Sequence, residues 1–236
     1  MQTTSFQTSQ TQAMVRVNEF IRSVYTWMGA GLALTGVIAY GVAGNESLLR
    51  MIATNPMLMI VLIIAELGLV FYLSARVNTM KASTATGLFL LYAGLNGVTL
   101  STIFLVYTRS SITSTFFICA ATFLACSVYG MATKRDLTSI GGFMTMGLIG
   151  IIIASVVNMF LRSTGVSVII SYIGVIVFVG LTAYDTQKLK YMALSRPADV
   201  SDGVVRKGAI LGALSLYLDF INLFLMLLRI FGGNRD

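Results

Sequence analysis

The chain has no histidine, two prolines and two cysteines in 236 residues, and each shortage excludes something. Without histidine the commonest metal ligand, general base and physiological-pH switch are missing, so proton chemistry has to run through carboxylates. The cysteines, Cys119 and Cys126, form no CxxC and no disulfide framework. They lie on one face of an apolar run and read as small packing residues. Charge is scarce as well, at 11% against about 25% in ordinary soluble domains. With 56% apolar residues and a mean hydropathy of +0.85, such a surface could not be solvated by water.

Long apolar runs stand in place of those residues. A bilayer core needs about 20 apolar residues per helical crossing, and runs of that kind fall near 24–43, 56–74, 84–106, 114–132, 141–160, 167–187 and 208–230. The predicted fold is all-α, a polytopic membrane protein with seven transmembrane helices in residues 23–236. It leaves no length for a separate soluble domain. Residues 1–22 are rich in Gln, Thr and Ser and lack an apolar h-region, so they read as a disordered polar cytoplasmic tail. The first break is "GNESLLRMIATNP", with Pro56 placed to open the second span. The polar stretch from Lys188 to Lys207 is the one loop with room for a surface feature.

A net charge of +7 raises the question of nucleic acid. The basic residues are scattered through inter-span loops, however, which excludes a nucleic-acid face and points to membrane orientation. In the seven-span arrangement Arg16, Arg22, Arg76, Lys81, Lys134, Arg135, Lys188, Lys190, Arg196, Arg206 and Lys207 share one side. Arg50, Arg109, Arg162, Arg229 and Arg235 share the other. Since positive residues stay cytoplasmic, the amino terminus is expected inside and the carboxyl terminus on the opposite side.

Three carboxylates fall at bilayer depth: Glu66, Asp185 and Asp219. An ionisable group there costs a few kcal/mol or more and faces the bundle interior or a water-filled cavity. Each would serve equally as a buried tie to a neighbouring helix. In the seventh span Gly208, Gly212, Ser215, Asp219 and Asn222 recur at intervals of four and three, on one narrow helical stripe. Leu, Ile, Phe, Met and Tyr fill every other face, so the stripe is expected to be the protein-facing side. Ser171, Gly174, Phe178, Thr182 and Asp185 form a looser stripe on the sixth span. Consecutive spans are antiparallel and both aspartates lie in the cytoplasmic halves of their helices, which puts the two carboxylates in position to meet.

Two carboxylates meeting at low dielectric cannot easily ionise together, so the pair would share a proton, a pH sensor built without histidine. Deprotonated, Asp185 and Asp219 would offer oxygen ligands to Ca²⁺, although two make a weak site for an ion that usually takes six to eight. Arg76 ends the second span at a depth similar to Asp185 and is a candidate latch on the aspartates. It is equally an interfacial anchor whose charge snorkels to water, as is Arg229. Glu66, ten residues deeper or about 15 Å along the helix, is a candidate pore-lining acid, with Ser215 and Asn222 as further candidate lining groups.

The segments "TKRDLTSIG" (133–141), "YIGVIVFVGLTAYDTQKLK" (172–190) and "ILGALSLYLDFINLFLMLLRIFG" (210–232) are long and specific. Through them the chain resembles the Bax-inhibitor-1, or transmembrane Bax-inhibitor-motif, family, and its bacterial inner-membrane branch in particular. The resemblance covers all seven spans. It implies two three-helix layers around a central carboxyl-terminal helix and a pH-sensitive passive Ca²⁺ leak. It also implies a proton-sensing aspartate pair at Asp185 and Asp219, with an arginine at Arg76 engaging it. No cofactor is implied beyond calcium as the transported species.

Two other functions compete. Some bacterial relatives in the family suggest a regulator of another membrane protein, such as a quality-control protease, acting through the amino-terminal tail. The enzyme alternative is an intramembrane aspartyl protease, since aspartates on the sixth and seventh spans imitate that arrangement. Leu216, Tyr217 and Leu218 stand before Asp219 where those proteases carry Gly-x-Gly-Asp, and no Pro-Ala-Leu element follows, because the only prolines are Pro56 and Pro197. The chain is therefore read as a non-enzyme.

Overall fold

The computed structural model describes the backbone of residues 2–195, 197 and 200–233, and the side chains of that set from Met14 onward. Arg196 and Arg235, which enter the charge argument, lie outside the described residues. The described residues form nine helices and no strand: α1 (Gln2–Ala43), α2 (Glu46–Thr54), α3 (Pro56–Arg76), α4 (Ala82–Leu100), α5 (Ile103–Val106), α6 (Arg109–Ala132), α7 (Thr138–Leu161), α8 (Thr164–Leu194) and α9 (Asp202–Phe231). Seven helical segments are long and apolar enough to cross a bilayer, with α4 and α5 together making the third. The all-α, seven-span expectation holds.

Three boundaries differ from the sequence reading. Residues 14–22, expected in a polar tail, are helical, because Val17, Phe20 and Val24 repeat at helical spacing and are buried. The break after the first span contains the short helix α2, capped by the Asn45 side chain, which accepts from the Leu48 N–H at 3.1 Å. Its Leu49 and Ile52 are buried while Glu46 and Arg50 pair on the exposed face, an amphipathic pattern too short to register as a span. The stretch from Lys188 to Lys207 is mostly helix: α8 runs on to Leu194 and α9 begins at Asp202. Leu189 and Ala193, four apart and buried, continue the packed face of α8 beyond its apolar run. Pro56 does open α3, behind an Asn55 cap.

The chain forms two compact units. The first holds residues 1–104 and 189–214, the second 105–188 and 215–236. In the first, α1 packs on α4 and α4 on α3. The α1–α4 approach is close enough that a Cβ at Gly97 would stand 2.7 Å from the Thr35 carbonyl oxygen, so only glycine fits. The Thr35 hydroxyl donates across the same seam to the Ala93 carbonyl at 2.8 Å. At this unit's surface the Lys207 ammonium donates to the Asn78 carbonyl at 2.8 Å, and the Arg206 guanidinium lies 5.4 Å from the centre of the Trp27 ring.

In the second unit α6 packs against α9. Phe116 and Phe123 meet Phe220 edge to face, and the Cys119 thiol points at the Phe220 carbonyl at 3.6 Å. Both cysteines are free, Cys119 fully buried and Cys126 half-buried, in keeping with packing roles. A Cβ at Gly130 would overlap the backbone of Ala183, so α6 and α8 touch backbone to backbone two residues before Asp185.

The helix α9 is buried around most of its circumference. Leu214, Leu216, Tyr217, Leu223 and Leu228 are as inaccessible as the polar stripe, and 72% of its apolar window is buried. The expectation that the stripe is its one protein-facing side was therefore too narrow. A helix apolar on every remaining face is what a protein interior demands as well as a lipid surface.

Candidate functional site

Asp219 sits mid-way along α9 with 5% of its surface exposed. One turn earlier on the same face is Ser215, which lies in the neighbourhood of Asp185 on α8. Asp185 lies within electrostatic range of Asp219, both in the second unit. Asp185 is partly buried and also feels Lys188, one turn further along α8 and exposed, with its ammonium 5.9 Å from the centre of the Tyr184 ring.

Two other polar side chains here, Thr182 and Asn222, are satisfied within their own helices. Thr182, fully buried, donates to the Phe178 carbonyl at 2.7 Å, and Asn222 donates to the Leu218 carbonyl at 2.8 Å. Asp219 differs: its Oδ2, like the Ser127 hydroxyl on α6, has no hydrogen-bond partner among the described residues. Buried polar atoms are nearly always paired, so an acid oxygen without a protein donor is one that a proton, a water or a ligand can occupy. The chemistry open to it is proton exchange with its neighbouring carboxylate or transient coordination of a hard cation. Among the described residues no three Asp, Glu or Cys side chains gather as a metal-ligand set.

Glu66 and Arg76 lie in the first unit. Glu66, half-buried in the middle of α3, accepts from the Thr99 hydroxyl at 2.5 Å. Tyr92, four residues from Asn96 on α4, lies within electrostatic range of Glu66. Arg76 is exposed at the carboxyl end of α3 and makes no ion pair among the described residues. Ser215 and Asn222 are half-buried on α9 as the stripe predicts.

Sequence reasoning missed Gln187. Its side chain is 2% exposed and bridges the loop between α6 and α7: Oε1 accepts from the Leu137 N–H at 2.8 Å, and Nε2 donates to the Arg135 carbonyl at 2.8 Å. Two residues from Asp185, it fixes α8 against that loop. The available signal was a glutamine at the end of an apolar span, where a long polar side chain needs a partner.

Residues 17–236 match the family profile described as inhibitor of apoptosis-promoting Bax1. The chain is 51% identical over 225 residues to inner membrane protein YbhL of Escherichia coli strain K12, covering 95% of each chain. It is 45% identical over 229 residues to an uncharacterized protein of Borreliella burgdorferi, covering 97% of this chain and 98% of that one. It is also 45% identical over 220 residues to the uncharacterized protein RP147 of Rickettsia prowazekii, covering 93% and 92%.

Proposed function

The chain belongs to the Bax inhibitor-1 family, and from that premise we propose that it is a passive, pH-sensitive leak for cations, Ca²⁺ among them, in a bacterial inner membrane. The observation that carries this reading is Asp219, buried, with one carboxyl oxygen unsatisfied and Asp185 beside it. In a low-dielectric interior, adding or removing one proton changes the pair's charge without compensation from water. In this reading the two carboxyl groups share one proton, and its gain or loss is the signal. A cation passing the deprotonated pair meets two carboxylates, enough to attract it and too few to trap it. In this reading the amino terminus is cytoplasmic and the carboxyl terminus lies on the opposite side, the orientation that the loop charges favour.

Ca²⁺ efflux from proteoliposomes, measured from acidic to mildly basic pH, is expected to vary with pH in the intact protein. In Asp219→Asn and Asp185→Asn it should become flat. A wild-type pH profile in both variants would remove the pair from the mechanism.

A further inference from the structure

At the other end of the second unit lies a cavity of about 370 Å³ that the proposed leak does not use. Tyr107, just before α6, Thr164, Ser167 and Ser171 in the first turns of α8, and Arg229 in the last turn of α9 line it. Seven crossings put the start of α6, the start of α8 and the end of α9 on one face of the membrane, so the cavity is at interface depth. Its lining is one guanidinium and several hydroxyls, with no carboxylate among the described lining residues. Arg229 forms no ion pair among the described residues. Attraction to the carboxyl end of α9 explains an arginine at that position, but not the hydroxyls gathered in front of it.

The mouth of the cavity identifies the occupant. Val168 and Tyr172 line it and are exposed, and the exposed face of α8 continues with Ile169, Ile173 and Ile176 toward the middle of the span. These positions repeat at three and four residues, a continuous apolar track leading away from a cationic, hydroxyl-lined pocket. A tyrosine at the interface above aliphatic side chains is the usual setting for a lipid headgroup over its acyl chain. We propose that this cavity binds the headgroup of an anionic phospholipid, its phosphate on Arg229 and the Ser167 and Tyr107 hydroxyls, its acyl chain along α8. Guanidinium takes phosphate oxygens bidentately. An ammonium-bearing zwitterionic headgroup would find no acidic partner here, so the site selects phosphatidylglycerol over phosphatidylethanolamine.

Purified protein titrated with each lipid and read by native mass spectrometry tests this. One phosphatidylglycerol should be retained in preference to phosphatidylethanolamine. Its apparent affinity should fall about tenfold in Arg229→Gln, as the loss of a charge-assisted hydrogen bond implies, and more weakly in Tyr107→Phe. Arg162→Gln, an exposed arginine on the same face and outside the cavity, should leave it unchanged. An equal loss in Arg162→Gln, or none in Arg229→Gln, would overturn the site. Displacement of the lipid by millimolar inorganic phosphate would overturn the lipid as its occupant. Because the readout is lipid retention, the result is independent of whether the aspartates gate an ion leak.

Discussion

The two units each bury an acidic side chain in a helical bundle, and they treat it in opposite ways. In the first, Glu66 is half-exposed and its carboxylate takes a short hydrogen bond from Thr99 on the adjacent helix, the geometry of an interhelical tie. In the second, Asp219 is nearly inaccessible, has an oxygen without a donor among the described residues, and faces another acid. A hydroxyl donor lowers the cost of keeping a carboxylate charged, whereas a second carboxylate raises it. Burial of an acid therefore does not by itself say what it meets; the neighbouring groups do.

Gln187→Ala puts the greatest strain on that contrast. It leaves the Leu137 N–H and the Arg135 carbonyl without their partner, which should cost about 2–4 kcal/mol, seen as a large drop in thermal unfolding temperature in detergent. If the environment of Asp219 depends on how α8 is held, the same substitution should also flatten the pH profile of ion flux. A smaller effect is expected across the first unit's tie. Thr99→Val removes the donor to Glu66 and should cost about 0.5–1.5 kcal/mol with the pH profile intact. Glu66→Gln, which can still accept from Thr99, should change flux by less than Asp219→Asn does. A fall in flux for Glu66→Gln as deep as that for Asp219→Asn would make Glu66 a lining residue and erase the contrast between the units.

The parts of this architecture that could be read in the sequence are those the bilayer dictates. Seven apolar runs, and three acids that stand out within them, are legible because exposing backbone and charge to hydrocarbon is costly, and the stripe on α9 is enough to turn Asp219 inward. What escaped has a common cause. Leucine and isoleucine look alike whether they face lipid or protein, so the all-round burial of α9 was invisible. The short helix α2 and the extensions of α8 and α9 are amphipathic or charged and lie outside the apolar windows, so they read as loop. Gln187 binds backbone groups of a loop, and a backbone partner leaves no residue-type signature. The donor that separates Glu66 from Asp219 is one threonine among many, identifiable only once α3 and α4 are packed.

The smallest expected effect concerns an acid outside the membrane altogether, and it sharpens the contrast by supplying a carboxylate whose surroundings are plain water. Asp136 precedes α7, and its Oδ1 accepts from both the Thr138 N–H at 2.9 Å and the Thr138 hydroxyl at 2.6 Å. These bonds favour the ionised form and hold its carboxyl below the ordinary Asp value. A depressed folded-state value contributes stability that is present above the unfolded value, about 3.9 for aspartate, and is lost as pH falls through the folded one. Asp136→Ala should therefore weaken the start of α7 at neutral pH, with the difference from wild type closing in acid. Because the residue is solvent-exposed the global effect is slight, so the sensitive measurement is local: faster amide exchange at Thr138 in the variant at neutral pH, converging with wild type at low pH once the intrinsic rate is corrected. Exchange at Thr138 that is unaltered at neutral pH would mean that the aspartate does not hold this helix start, and that charge near a helix end counts for little on this protein's surface.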